Sequence, residues 1–271
     1  MSDILIYMPV LGILAGFLSG LLGIGGGIVL VPALIFLLPK IEGVDPTNVT
    51  ILAIATSLFT IIVTAFSSAR SHFAQGNVDW KMTVPVAITV ALTSVMASHI
   101  AASMSSQALT LCFAILLFVL AVQIYRGGRK AQQGEVELSN TKLAIGGGLT
   151  GFLASLAGLG GGAILVPYLT YMGANIRKSI GTAAACGMVV ALFGSAGYLV
   201  AGWGWTQSKE FVGFVHWPSA LSIMAFSYLS APWGVKVGQK LNQMQLKKVF
   251  AVFIMLVSVK LIFEQVLAAS H

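Results

Sequence analysis

Apolar segments follow one another along this chain with little between them, at approximately 4–38, 48–69, 82–103, 107–125, 143–172, 179–202, 215–235 and 246–268. A helix needs about 20 apolar residues to cross the hydrocarbon of a bilayer, and these runs reach or exceed that length. Of the 271 residues only 8% are charged and 57% are hydrophobic, against roughly 25% charged in an ordinary soluble domain. So few charges cannot cover the outside of a soluble domain this apolar. The composition excludes a soluble enzyme, a nucleic-acid-binding domain and a disordered chain. The net charge of +7 sits in short loops between apolar runs and is not a nucleic-acid signal. An all-α integral membrane protein is expected.

Met1–Tyr7 carries Asp3 and no Lys or Arg, so no cleaved leader is expected and the first apolar run is read as structure. Cys112 and Cys186 both lie inside apolar runs without a partner at metal-ligand spacing. They are read as packing residues, with no metal site or disulfide framework.

The chain repeats itself. A slide of 135 places Gly12, Gly16, Phe17, Leu18, Leu21, Gly23, Gly25, Gly26, Gly27, Leu30, Val31 and Pro32 on identical residues, from Gly147 to Pro167. Later matches, such as Trp80 with Trp217 and Phe113 with Phe250, occur at a slide of 137. Repeats of this kind mark secondary transporter folds. The expected organisation is a first repeat over 1–126, a cytoplasmic connector over 127–142 and a second repeat over 143–271.

Loop charge orients the repeats, because Lys and Arg favour cytoplasmic loops. If every segment crossed, the loop carrying Lys236, Lys240, Lys247 and Lys248 would face outward. If instead the first, glycine-interrupted segment of each half enters and leaves on one side, each half makes three full crossings. Arg70 with Lys81, the connector, Arg177 with Lys178 and the Lys236–Lys248 group then all lie inside. The fold expected is therefore two inverted repeats, each a glycine-broken re-entrant hairpin plus three transmembrane helices.

Two glycine patterns overlap here. Gly12, Gly16, Gly20 and Gly23 share one helical face and suit close helix packing. Gly25-Gly26-Gly27 and Gly160-Gly161-Gly162 differ, since consecutive glycines weaken a helix by about 1 kcal/mol each relative to Ala. Pro32 and Pro167 each remove a further donor. A break there leaves backbone N–H groups that must be buried in protein or face a watery cavity. A half-helix starting near Ile28 or Ala163 would aim its positive end at that cavity and form an anion site. A kink without a ligand is the alternative.

Thr56, Ser57 and Thr182, near the start of the next helix in each half, carry hydroxyls that either donate to an anion or bond back to their own helix. Ser67, Ser68 and Ser195 lie farther along. No Asp or Glu lies well inside an apolar run, and Glu264 sits near the end of the last one. His99, flanked by Ser94 and Ser98, is the central ionisable candidate, as a site residue or as a packed neutral imidazole. His72 and His216 read as interfacial, and Lys260 as snorkelling. No nucleophile, base and acid cluster together, so neither an enzyme nor a cofactor is expected.

Gly16–Gly27 with Val31-Pro32, its second copy Gly151–Gly162 with Val166-Pro167, and Ala55-Thr56-Ser57 and Gly181-Thr182-Ala183 resemble the TauE/SafE family of sulfite exporters. The resemblance spans essentially the whole chain. It departs at Ser155, which stands in the place of Gly20, and at Trp203–Phe214, which reads as an insertion. The resemblance implies a carrier, in a bacterial inner membrane, of a small sulfur-containing anion such as sulfite, a sulfonate, sulfoacetate or thiosulfate. Cys186, one helical turn beyond Thr182, would then lie near the substrate or simply pack. A carrier of an unrelated organic anion and a non-transport membrane subunit are the competing readings.

Overall fold

The computed structural model describes residues 7–22, 26–41, 44–126, 139–206, 208–238 and 243–269. Its helices are α1 (Tyr7–Leu22), α2 (Gly27–Leu37), α3 (Val49–Ala74), α4 (Trp80–Ser103) and α5 (Ser106–Arg126) in the first half. The second half holds α6 (Asn140–Ala157), α7 (Gly162–Tyr171), α8 (Ile176–Ala201), α9 (Trp217–Gly238) and α10 (Gln243–Ala269). Most of the expected connector lies outside the described residues, and Lys142 already belongs to α6.

Pro46–Ala74, Trp80–Ser103, Ser106–Arg126 and Ile176–Ala201 are long and apolar enough to cross a membrane. Helices α9 and α10 have 22 and 27 residues, which at 1.5 Å per residue also suits a bilayer. The first segment of each half is instead split into two shorter helices. Local sequence explains the starts: Asp79, Ser139 and Asn175 cap α4, α6 and α8 by accepting the N–H of Lys81, Thr141 and Arg177.

Helix α4 is two-faced in the way lipid requires. Val84, Ile88, Leu92, Met96 and Ile100 are exposed, at four-residue spacing, while Val86, Val90, Ser94, Ala97 and Ala101 are buried. Lipid gives apolar side chains no reason to hide, so helix association rests on close packing of small residues. Small residues sit at the heaviest interfaces, α1 on α9 and α4 on α6. A side-chain carbon on Gly12 would come within 2.8 Å of the Ile223 carbonyl, and one on Gly16 would meet Ser227 and Ser230. At the matching positions Gly147 abuts Val86 and Thr89, and Gly151 abuts Val90 and Thr93. The glycine face read from sequence is thus a packing face, and its partner is a helix of the other half.

The remaining contacts repeat this exchange. Helix α3 packs on α8, and α5 on α10. Leu58 lies beside Gly194 and Asn77 beside Gly181, so α3 and α8 run antiparallel. Lys178 pairs with Asp79 at 3.4 Å across the same end, which brings the 74–80 and 172–178 loops to one side of the molecule. The end of the stretch read as an insertion, with the two residues after it, forms a hairpin of β1 (Phe211–Val212) and β2 (Val215–His216). It packs on α3, α8 and α9.

Candidate functional site

The second glycine run is a true helix break. Helix α6 ends at Gly158, which has φ 67°, a left-handed conformation open to glycine at little cost. The Leu159 N–H reaches the Ala154 carbonyl at 2.8 Å and the Gly158 N–H reaches Ser155 at 3.4 Å, the Schellman ending. Gly161, φ 73°, then caps α7, its carbonyl accepting from Ile164 at 3.1 Å and Leu165 at 2.9 Å. Between the two helices, the N–H groups of Gly160, Gly161, Gly162 and Ala163 have no acceptor among the described residues. Gly162 faces open space. Helix α7 folds back on α6, where Tyr168 lies over Gly146 and donates its hydroxyl to the Lys142 carbonyl at 2.8 Å.

The first run shares the cap bonds but not the cap conformation, since Gly26 has φ −70° where Gly161 is left-handed. Gly23, Ile24 and Gly25 lie outside the described residues, but Gly26 caps α2 and accepts from Val29 at 3.1 Å and Leu30 at 3.0 Å. These are the bonds of Gly161 at a slide of 135. Both short helices start one residue earlier than expected, at Gly27 and Gly162, and run on through Pro32 and Pro167. Each proline is the sixth residue of its helix, so each helix runs on without the bond that an N–H there would make to the carbonyl of Ile28 or Ala163. The glycines make the break.

The two breaks meet. Gly27 packs directly on the Gly158 carbonyl and lies 3.1 Å from the Leu159 Cα, measured from where a side-chain carbon would stand. Ser57 donates to that same carbonyl at 3.0 Å. Thr56 is buried and accepts the His216 backbone N–H at 3.1 Å. Thr182 lies 3.2 Å from the Thr83 hydroxyl, and Cys186 contacts the Thr83 carbonyl. These polar groups bind the helices around the breaks to one another. His99 lies apart from them on an exposed part of α4, its Nδ1 2.9 Å from the Val95 carbonyl.

Beside the first break is a narrow cavity of about 10 Å³, lined in part by Gly16, Ser19, Gly26, Thr60, Thr64 and Ser227. That is room for one water and no more. Thr60, Thr64 and Ser227 donate to carbonyls of their own helices. At the equivalent place in the second half, Thr150 and Val190 flank Gly161. The Thr150 hydroxyl is buried and has no hydrogen-bond partner among the described residues, and the same holds for those of Ser155 and Ser195. Spacing alone does not single out Thr150, although it stands four residues before Ala154 on the face that meets the break. Thr60 likewise lies one turn beyond Thr56.

His216 is buried in its hairpin. It is 1% exposed, stacks near Phe211, and shares a 2.7 Å hydrogen bond with Ser219 through Nδ1. Its Nε2 is 3.5 Å from the Glu210 carboxylate. Burial pushes the imidazole pKa down, and Glu210 works against that shift. The signal was hidden because the hairpin, not the helix pattern, buries the ring. Lys260 is exposed, pairs with Glu264 at 3.6 Å and lies over the Phe36 ring.

A family model described as sulfite exporter TauE/SafE matches residues 8–261. A probable membrane transporter protein of Haemophilus influenzae is 35% identical over 254 residues, covering 93% of this chain and 96% of that protein. Probable membrane transporter proteins of Methanocaldococcus jannaschii and Bacillus subtilis are 27% and 24% identical, each over at least nine-tenths of both chains. No solved structure matches. With its apolar helices and its full-length likeness to transporter proteins, the chain is a multi-pass membrane transporter and belongs to the TauE/SafE sulfite exporter family.

Proposed function

We propose that this transporter carries small sulfur-containing anions, of the sulfite, sulfonate, sulfoacetate or thiosulfate type, across a bacterial inner membrane by alternating access. The anion binds at the paired breaks, on the N–H groups of Gly25–Gly27 and Gly160–Gly162 and the hydroxyl of Thr150. Ser57, Thr56 and Thr182 hold the surrounding helices, and His99 has no part in this route. The observation that carries the reading is the run of free N–H groups from Gly160 to Ala163 at the start of α7. Amide hydrogens at a helix start attract an anion through their dipoles. A full Lys or Arg at mid-bilayer would cost about 3 kcal/mol on insertion scales. A dipole-and-hydroxyl site avoids that cost and releases its cargo readily.

The halves 1–126 and 143–271, joined by the 127–142 connector, act as inverted repeats. The antiparallel crossing of α3 and α8, each the third helix of its half, supports this relation. The cavity of about 10 Å³ beside the first break is too small for such an anion, so on this reading rocking of the halves widens the site and opens it to either side.

Flux of labelled sulfite, sulfoacetate and thiosulfate into proteoliposomes tests the reading. Saturable, protein-dependent flux of at least one is expected. Flux of none, with folded protein, would overturn the substrate class, and flux of an unrelated carboxylate alone would replace it.

A further inference from the structure

A second cleft has the opposite chemistry. It measures about 190 Å³ and lies between the end of α10, the starts of α3 and α5, and the far end of α2. Its polar wall is Thr50, Ser106, Thr110, Glu264 and Gln265. The hydroxyl protons there are all spent. Thr110 donates to the Ser106 carbonyl at 2.7 Å, so Thr50 is the donor in the 2.6 Å bond between the two threonines. Ser106 in turn points its proton at Thr50, 3.5 Å away. Each hydroxyl has one hydrogen, and each of these is committed along the chain, so only lone pairs remain for the cleft.

Glu264 adds a carboxylate, and Gln265 a carbonyl oxygen beside its amide N–H groups. Gln265 Oε1 is buried and has no partner among the described residues. Glu264 is half-exposed and lines the cleft, with its Oε1 3.6 Å from the Lys260 Nζ. Oxygen donors of this kind suit hard cations. A single carboxylate among neutral oxygens balances one positive charge, whereas the calcium sites of EF-hands gather several carboxylates. The cleft has room for an ion and some of its waters.

Its position gives the site a role. Ile35 and Pro39, at and just past the end of α2, line the cleft, and Gly27 begins that helix at the first glycine break. The negative end of the helix dipole thus faces the cleft and the positive end faces the proposed anion site. We propose that this cleft binds a monovalent alkali cation, Na⁺ in the first instance, and that the cation is the coupling ion of transport. The binding half of the proposal stands on the cleft alone; the coupling half rests on the anion reading above.

Thermal unfolding of the purified, full-length protein tests binding without any transported anion. NaCl is compared with choline chloride at equal ionic strength. A saturable rise in Tm with Na⁺ is expected, larger than with K⁺. Glu264→Gln, a change at a half-exposed position, is expected to raise the half-maximal Na⁺ concentration about tenfold, and Gln265→Leu to abolish the response. Equal Tm in NaCl and choline chloride, a response only to Ca²⁺ or Mg²⁺, or an unaltered Na⁺ response in folded Glu264→Gln would each overturn the site. In proteoliposomes, an inward Na⁺ gradient is expected to change anion flux in wild type and not in Glu264→Gln. Flux indifferent to Na⁺, alongside intact Na⁺ binding, would remove the coupling role and leave both the cation site and the anion reading standing.

Discussion

Ser57 on α3 donates its hydroxyl hydrogen to the carbonyl of Gly158, 3.0 Å away, across 101 residues of sequence. The next residue back, Thr56, accepts the backbone N–H of His216 in the hairpin. One turn of α3 therefore ties the hairpin to the second glycine break. Ser57→Ala leaves the Gly158 carbonyl buried without that donor, a loss of about 1–3 kcal/mol. A lower unfolding temperature in detergent is expected, and an unchanged one would mean the bond contributes nothing to holding the break.

The glycines of the second run are expected to differ sharply from one another. Gly158 has φ 67°, and a side-chain carbon there would stand 2.6 Å from the Val31 Cγ2 and 3.1 Å from the Ile54 Cα. Left-handed strain alone costs about 1–2 kcal/mol, so Gly158→Ala should yield little folded protein. Gly162 faces open space, so Gly162→Ala should fold normally and lose flux, because its methyl group occupies the anion's approach. Full flux from Gly162→Ala would argue against contact there.

Thr150 is expected to act on affinity rather than speed. Losing one donor to a charged group costs about 1.5 kcal/mol or more. Thr150→Val should therefore raise the half-saturating anion concentration roughly tenfold with little change in maximal flux, and Thr150→Ser should restore it. Identical saturation curves for Thr150→Val and wild type would remove Thr150 from the site.

His216 makes stability depend on pH. Its pKa is held below the ordinary value of 6.5, chiefly by burial, so the unfolded chain takes up a proton more readily than the folded one. The stabilisation from the neutral ring is complete above pH 6.5 and declines as pH falls below it. Wild-type unfolding temperature should drop between pH 7 and pH 5, and His216→Gln should flatten that slope. An equal slope in both proteins would place its origin elsewhere.

Much of this was legible from residue spacing. The triple glycines located both breaks to within one residue, because weak helix formers in a row leave little else for the backbone to do. The face of Gly12 and Gly16, with its copy at Gly147 and Gly151, read correctly as a packing surface. Its partners did not, since nothing in the spacing of α1 tells that Ile223 and Ser227 of the other half lie against it. Thr150 and Thr60 escaped notice because burial of a hydroxyl depends on how neighbouring helices rotate. The burial of His216 left no mark in the spacing, because a two-stranded hairpin too short to leave a pattern folds over it.

The central claim concerns amide hydrogens, and NMR can observe those directly. Protein labelled with both carbonyl-¹³C and ¹⁵N glycine gives selective signals only from Gly–Gly pairs, which include Gly25-Gly26-Gly27, Gly146-Gly147-Gly148 and Gly160-Gly161-Gly162. On titration with sulfite or a small sulfonate, the amides of Gly26, Gly27, Gly161 and Gly162 are expected to shift saturably, while Gly147 and Gly148, inside α6, stay in place. Unmoved break amides at concentrations that saturate flux would contradict the account.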